Sequence, residues 1–232
     1  MKKIIHQRIA LDWINACEIE NPKTLILGSF NPYESINKSV DYYYGRQSNH
    51  LWQTIANLLN YEENYFFDKQ NCLERKRDTM QTNFCFYDVI DSIEVSSVDE
   101  NILNRYIDNE IYRNFLDNKI WTSKTTYENV EIKLKRNYNQ QVIKLLKNSS
   151  SINRVIHTMG KNRIKPNKVN PAEKNLNGQG FNDYINKIKS LCDEKRIDFD
   201  YESLSPSDYA IKTGKVTKEE LRLWLSQSII IP

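Results

Sequence analysis

The chain has 232 residues, 39% of them hydrophobic, and its 33 lysines and arginines nearly balance 30 aspartates and glutamates, for a formal net charge of +3. A chain of this length can bury the core of one large domain without staples, and so small a net charge argues against a polybasic tail while permitting a local basic face. The four cysteines, Cys17, Cys72, Cys85 and Cys192, form no Cys-x-x-Cys pair, which argues against zinc, an iron–sulfur cluster and a disulfide framework. They read as reduced, mostly buried thiols, and neither a metal nor a cofactor is expected.

Lys2 and Lys3 are followed by His6, Gln7 and Arg8 before an apolar stretch of signal-peptide length can develop. The longest apolar runs, such as residues 24–30, fall well short of the roughly 20 residues of a membrane helix. A soluble, cytoplasmic, monomeric protein with no membrane partner is the expectation.

Residues 6–19 place Ile9, Trp13, Ile14 and Cys17 at helical spacing, and Asn21-Pro22 stops the pattern. Residues 24–30 are a compact apolar run entering a glycine, which predicts a buried strand of a parallel sheet. The Asn-, Ser- and Tyr-rich segment 31–48 then leads to a helix over 49–60, with Trp52, Ile55, Ala56 and Leu59 on one face. Loops that long inside compact domains are usually functional. Residues 83–91 read as a second buried strand, 99–116 as helix, 118–139 as ambiguous and 140–147 as helix. Residues 154–160 again run apolar into a glycine and predict a core strand.

A basic, Asn-rich loop (161–180), a helix (181–195), a strand (197–204), a loop (205–214) and a helix (217–227) complete the pattern. Thr217 and Glu220 make a capping box for the last helix. No repeat or low-complexity linker divides the chain, so an α/β fold in one domain, residues 1–232, is predicted. In an open α/β sheet the loops at the strands' carboxyl ends share one edge, where ligands bind. Residues 29–48, 158–180 and 205–215 should meet there.

Two segments together carry a resemblance: Leu25-Ile-Leu-Gly-Ser-Phe-Asn-Pro32, followed by Tyr42-Tyr-Tyr-Gly-Arg-Gln-Ser-Asn-His-Leu-Trp52. The pair resembles the first motif of the uracil-DNA glycosylase superfamily, above all its hypoxanthine-DNA glycosylase branch, where LILGS precedes YY-x-H-P-x-N-x-F-W. Residues 83–94 with 97–102 resemble that branch's WDV-x-x-S-x-x-R-x-x-S-x-D-x-x-I. Residues 154–160 resemble a strand ending in F-N-G, and Leu204-Ser-Pro-Ser-Asp-Tyr209 a Pro/Ser-rich loop that enters the duplex. Residues 119–141 and 161–180 have no counterpart. Gln47-Ser48 stands where the branch has His-Pro, Leu51 where it has an aromatic residue, and Asn31 where it has proline.

The resemblance implies a three-layer α/β/α domain around a mainly parallel four-stranded sheet. It also implies a monofunctional glycosylase of base excision repair, which flips an altered base out of double-stranded DNA and hydrolyses its N-glycosidic bond. That reaction needs a pocket for the base, a water aimed at the sugar carbon and stabilisation of the leaving base. A neutral Asn positions water without adding charge. Residue-by-residue carry-over puts the catalytic Asn at Asn49. Asn31, one place beyond the position that the mismatch-specific branch uses and that matches Phe30 here, has the weaker claim, and His157 near a strand end is read as a donor to the leaving base.

Gly28, Ser29, Phe30, Tyr43 and Tyr44 fall to the base pocket, the aromatic rings as stacking faces. Arg46, Lys161, Arg163, Ser205 and Ser207 fall to the DNA backbone. Plainer roles stand beside these: Asn49 before a helix suits an N-cap, Phe30 and the tyrosines suit a core, and His157 suits a satisfied structural group. Two rivals remain, a nucleic-acid binder without catalysis on the same scaffold and a nucleotidyltransferase. The latter also opens with Gly-Ser-Phe-Asn-Pro, but its pattern continues with histidines that residues 33–37 lack.

Overall fold

The computed structural model describes residues 1–33, 40–67, 70–108, 111–116, 119–160, 163–164 and 180–229. Eight strands and nine helices follow in chain order among them: β1 (Lys2–Ile5), α1 (Gln7–Ala10), β2 (Thr24–Gly28), α2 (Leu51–Leu58), α3 (Cys72–Met80), β3 (Phe84–Asp88), β4 (Ile90–Ser96), α4 (Glu100–Asp108), α5 (Ile111–Asn114), β5 (Lys124–Tyr127), β6 (Val130–Tyr138), α6 (Gln140–Asn148), β7 (Arg154–His157), α7 (Phe181–Lys195), β8 (Asp198–Phe199), α8 (Asp208–Lys212) and α9 (Lys218–Ser228).

The expected parallel sheet is present, in the order β3-β2-β7-β8. Leu25 pairs with Cys85 on one side and Val155 on the other, and Leu27 with Tyr87 and His157. Every residue of β2 is buried, which is why its sequence reads as an unbroken apolar run rather than an alternation. From β2 the chain goes to β3 on one flank, and only afterwards to β7 on the other. The order therefore reverses between the carboxyl ends of β2 and β7, the position at which open α/β sheets form a crevice.

A second sheet, antiparallel and in the order β1-β4-β6-β5, extends the one-sheet expectation. Its β5–β6 hairpin resolves the ambiguous stretch 118–139: Tyr127 pairs with Val130, and Glu128 and Asn129 between them sit at φ 47° and 63°. A two-residue loop with both residues left-handed matches the twist of its strands. Chain passes from the parallel to the antiparallel sheet through Val89 alone.

Three other expectations need correction. The helix read over 6–19 is instead α1 and a 3-10 turn, Ala16–Glu18, separated by Asp12 at φ 48°. Asn15 accepts from Cys17 N–H and Glu18 reaches back to Asn15 N–H, so side chains close a new start there. The strand read over 197–204 keeps a ladder only at Asp198–Phe199, because Asp200 Oδ1 takes the Glu202 N–H at 2.8 Å and turns the chain. Of the four cysteines, Cys85 and Cys192 are buried, Cys72 is half-buried and Cys17 exposed, all unbridged.

Helices α2 and α9 pack together, as do α6 and α7. The core is markedly aromatic: Trp13, Tyr42, Tyr43, Trp52, Phe66, Phe84 and Phe86 are buried in it and meet ring to ring. No helix among the described residues is long and apolar enough to cross a membrane.

Candidate functional site

Gly28, Asp88 and His157 end three adjacent parallel strands, so their side chains and following loops share the crevice edge. Thr158 N–H donates to Leu27 O at 3.0 Å, which holds Thr158 beside β2. Its hydroxyl meets the Tyr44 hydroxyl at 2.7 Å. The loop after β2 is thereby tied across the switch point to the end of β7. Gly28 permits this closeness, because a Cβ there would collide with Asp88 Oδ1 and lie 2.7 Å from Tyr44 Oη. Tyr44 itself sits at φ 56°.

The loop 42–52 closes on itself. Trp52 Nε1 donates to Tyr43 O at 2.7 Å, and Asn49 N–H donates to Arg46 O at 2.8 Å. Asn49 then forms a single antiparallel bridge with Ser207, and His50 N–H donates to Pro206 O at 2.8 Å. Ser205 Oγ donates to Ser207 Oγ at 3.0 Å, and Ser207 Oγ caps α8 through Ala210 N–H. On the same side Gly160 N–H donates to Ser203 Oγ at 2.9 Å. Loops from β2, β7 and β8 are thus stitched together along one edge, as the sequence led us to expect.

Asn49 is half-buried, and its Oδ1 accepts the Leu51 N–H at 3.0 Å. The N-cap of α2 is His50 rather than Asn49, so this is a local turn one residue ahead of the cap. An amide oxygen has two lone pairs, so one bond does not exhaust it. Asn31 sits elsewhere in the network: its carbonyl accepts from Gln7 N–H at 2.8 Å, and neighbouring Pro32 bridges His6.

Phe30 and Tyr43 are buried, at 7% and 3% exposure, with their rings in the core. Burial raises the Tyr43 hydroxyl well above its usual pKa. Tyr44, half-buried, is the described tyrosine of the trio nearest the solvent side of the edge. Ser29 and Arg46 are half-buried. Arg163 stays beside the end of β7, its N–H donating to Gly160 O at 3.1 Å, while its guanidinium lies 4.7 Å from the Trp121 ring centre. Lys161, and Lys165, Lys168 and Lys174 of the basic stretch, lie outside the described residues.

His157 is wholly buried, with its ring stacked on Phe199. Burial pulls its pKa down to about 4, opposed by the Tyr201 backbone, which does not reach hydrogen-bond geometry with either ring nitrogen. The imidazole is accordingly neutral near pH 7, and an N–H is all it can offer a leaving group.

Sequence reasoning missed the pair that most distinguishes this edge. His6 Nε2 and Asp88 Oδ2 lie 2.6 Å apart, with the His6 side chain fully buried and the Asp88 side chain 8% exposed. His6 Nδ1 accepts Arg8 N–H at 2.9 Å, which leaves the ring proton on Nε2 to be donated to the carboxylate. Edges of Trp13 and Phe30 close around the imidazole, with Tyr43 tilted against it. Asp88 stood inside a quoted motif and was legible as a strand end. Its union with a residue 82 positions earlier is tertiary, and no local pattern announces it. Among the described residues no group of three or more His, Cys, Asp or Glu side chains is placed to hold a metal.

Comparison with family models, curated proteins and solved structures finds no match to the chain. Its chemistry must be argued from its own residues.

Proposed function

We propose that the chain is a DNA glycosylase related to the uracil-DNA glycosylase superfamily, with Asn49 holding the hydrolytic water. The observation that carries this reading is the bridge between Asn49 and Ser207, which joins the Asn-bearing loop to the Pro/Ser-rich loop beside the switch point of a parallel sheet. Those are the two segments that the resemblance assigns to water placement and to the duplex. The three-layer arrangement and the hypoxanthine-DNA glycosylase branch belong to this proposal.

In this mechanism an altered base leaves the stack and enters the edge near Tyr44. The free lone pair of Asn49 Oδ1 aims water at the sugar carbon as an oxocarbenium-like transition state develops. Neutral His157 lies behind the edge, with its N–H the candidate donor to the departing base. The reaction calls for no cofactor, and double-stranded DNA is the partner.

Base release from labelled duplexes carrying uracil or hypoxanthine, read as alkali-cut strands, tests the proposal. Asn49→Ala should lower release by ~100-fold or more, as loss of a group that handles the attacking nucleophile does, and leave DNA binding intact. Losing the bond to Leu51 N–H costs only about 1 kcal/mol of stability, so the variant remains folded. Release at the wild-type rate would remove Asn49 from the chemistry. A second reading, binding without base release, is favoured by the Asn49 oxygen's existing bond to Leu51 and the Tyr44 hydroxyl's to Thr158. Intact strands together with measurable DNA binding would establish it.

A further inference from the structure

One residue beyond Asn49, an open cleft of about 370 Å³ begins at His50 and runs between α2 and the start of α9. That volume suits a small-molecule-sized group, for which sites span roughly 300–1,000 Å³. Gln53 and Asn57 line it from one face of α2, four residues apart, and Lys218 and Arg222 line it from α9 at the same spacing. Tyr61 completes the wall, its ring 44% exposed and resting against Tyr65 at a centroid distance of 4.2 Å.

Much of this polar surface is uncommitted. The Asn57 amide, Tyr61 hydroxyl and Lys218 ammonium make no hydrogen bond or ion pair among the described residues, whereas Gln53 Nε2 donates to Gln47 O at 3.0 Å, leaving its amide oxygen open, and Arg222 is held by Glu219 at 3.1 Å. His50 Nδ1 is buried without a hydrogen-bond partner among them, while Nε2 lies 3.5 Å from Asp208. An exposed aromatic ring, two side-chain amides and an unpaired ammonium are the groups that take a base face, a base edge and a phosphate.

We propose that this cleft binds one unpaired nucleotide of a DNA strand, with the base on Tyr61, its edge at Gln53 and Asn57, and its phosphate at Lys218. The inference rests on the glycosylase reading for its choice of DNA, and it gives the strand a track leading away from Asn49. A free nucleotide offers the same chemistry, so the test separates the two sources. Glu63 also lines the cleft and opposes a phosphate there.

The test is fluorescence anisotropy with a labelled single-stranded oligonucleotide at several salt concentrations. Tyr61→Ala should weaken binding about tenfold, the range of one lost base stack. Lys218→Gln should lower the slope of log affinity against log salt by about 0.7, one phosphate contact on a single strand. Glu63→Gln should tighten binding. All three residues are exposed, so their substitution leaves the fold in place.

Wild-type binding that none of the three variants alters, in affinity or slope, would overturn the cleft while leaving the glycosylase reading standing. A wild-type protein that binds neither single-stranded nor duplex DNA would overturn the cleft and the glycosylase reading together. Adenosine monophosphate binding as tightly as the oligonucleotide, and losing that affinity in Tyr61→Ala, would assign the cleft to a free nucleotide and overturn the strand track.

Discussion

His157 and Asn49 show how one side chain serves two masters. Burial holds the His157 pKa at about 4, against 6.5 for an ordinary imidazole. Between those values the unfolded chain takes up a proton that the folded chain refuses. Stability is therefore full above pH 6.5 and falls as the pH drops toward 4, by at most about 1.4 kcal/mol per unit. Urea unfolding across that range should show this loss, and His157→Phe, which keeps a ring and removes the titration, should flatten it. An unchanged slope in the variant would assign the acid sensitivity to other groups. Asn49 read as cap and as water holder alike, because both roles ask for an amide oxygen just before a helix. The helix starts one residue later, with His50 as its N-cap, and leaves Asn49 a turn bond. That bond to Leu51 is compatible with holding water through the spare lone pair, so the sequence's ambiguity belongs to the residue itself.

Elements were legible where local physics dominates. The buried strand β2, the helix α7 at 181–195 and the capping box of α9 all follow from apolar period and cap chemistry. The unforeseen helix α3 has a sequence, CLERKRDTM, that is mostly charged, so no apolar stripe announces it. Its contribution comes through Lys76, 1% exposed, which pairs with Asp41 and lies over the Trp52 and Phe67 rings, 5.6 Å from each centre. That pair fastens α3 to the base of the loop carrying Tyr43, Tyr44 and Asn49. Asp41→Asn should destabilise the fold by about 3 kcal/mol, since it strands a buried ammonium without its counter-charge. Adding Lys76→Met to that variant should recover part of the loss, because the thioether chain fills the site with nothing to desolvate. Equal urea midpoints for wild type and Asp41→Asn would show that the pair does not hold α3.

At the scale of the whole molecule, the parallel sheet runs directly into the antiparallel one at a single-residue crossing. Strand β3 becomes β4 across Val89, and Asn139, fully buried, locks the crossing. Its backbone N–H donates to Val89 O at 2.9 Å and its Nδ2 to Asp88 O at 3.0 Å. Its Oδ1 caps α6 through Gln141 N–H at 2.9 Å, and its carbonyl accepts the Tyr184 hydroxyl of α7 at 2.6 Å. None of this was readable in advance, because the antiparallel sheet was not foreseen and Asn139 looked like the edge of an ambiguous stretch. A junction that joins both sheets and two helices leaves little scope for one sheet to melt before the other. Far-UV circular dichroism and tryptophan fluorescence should then report a single coincident urea transition. Asn139→Ala forfeits two side-chain bonds at a buried site, a cost of about 2 kcal/mol or more, and should move both signals together to lower urea. Transitions that separate, in the wild type or in the variant, would mean that the antiparallel sheet folds as a unit of its own, and that the crevice edge is supported by the parallel sheet alone.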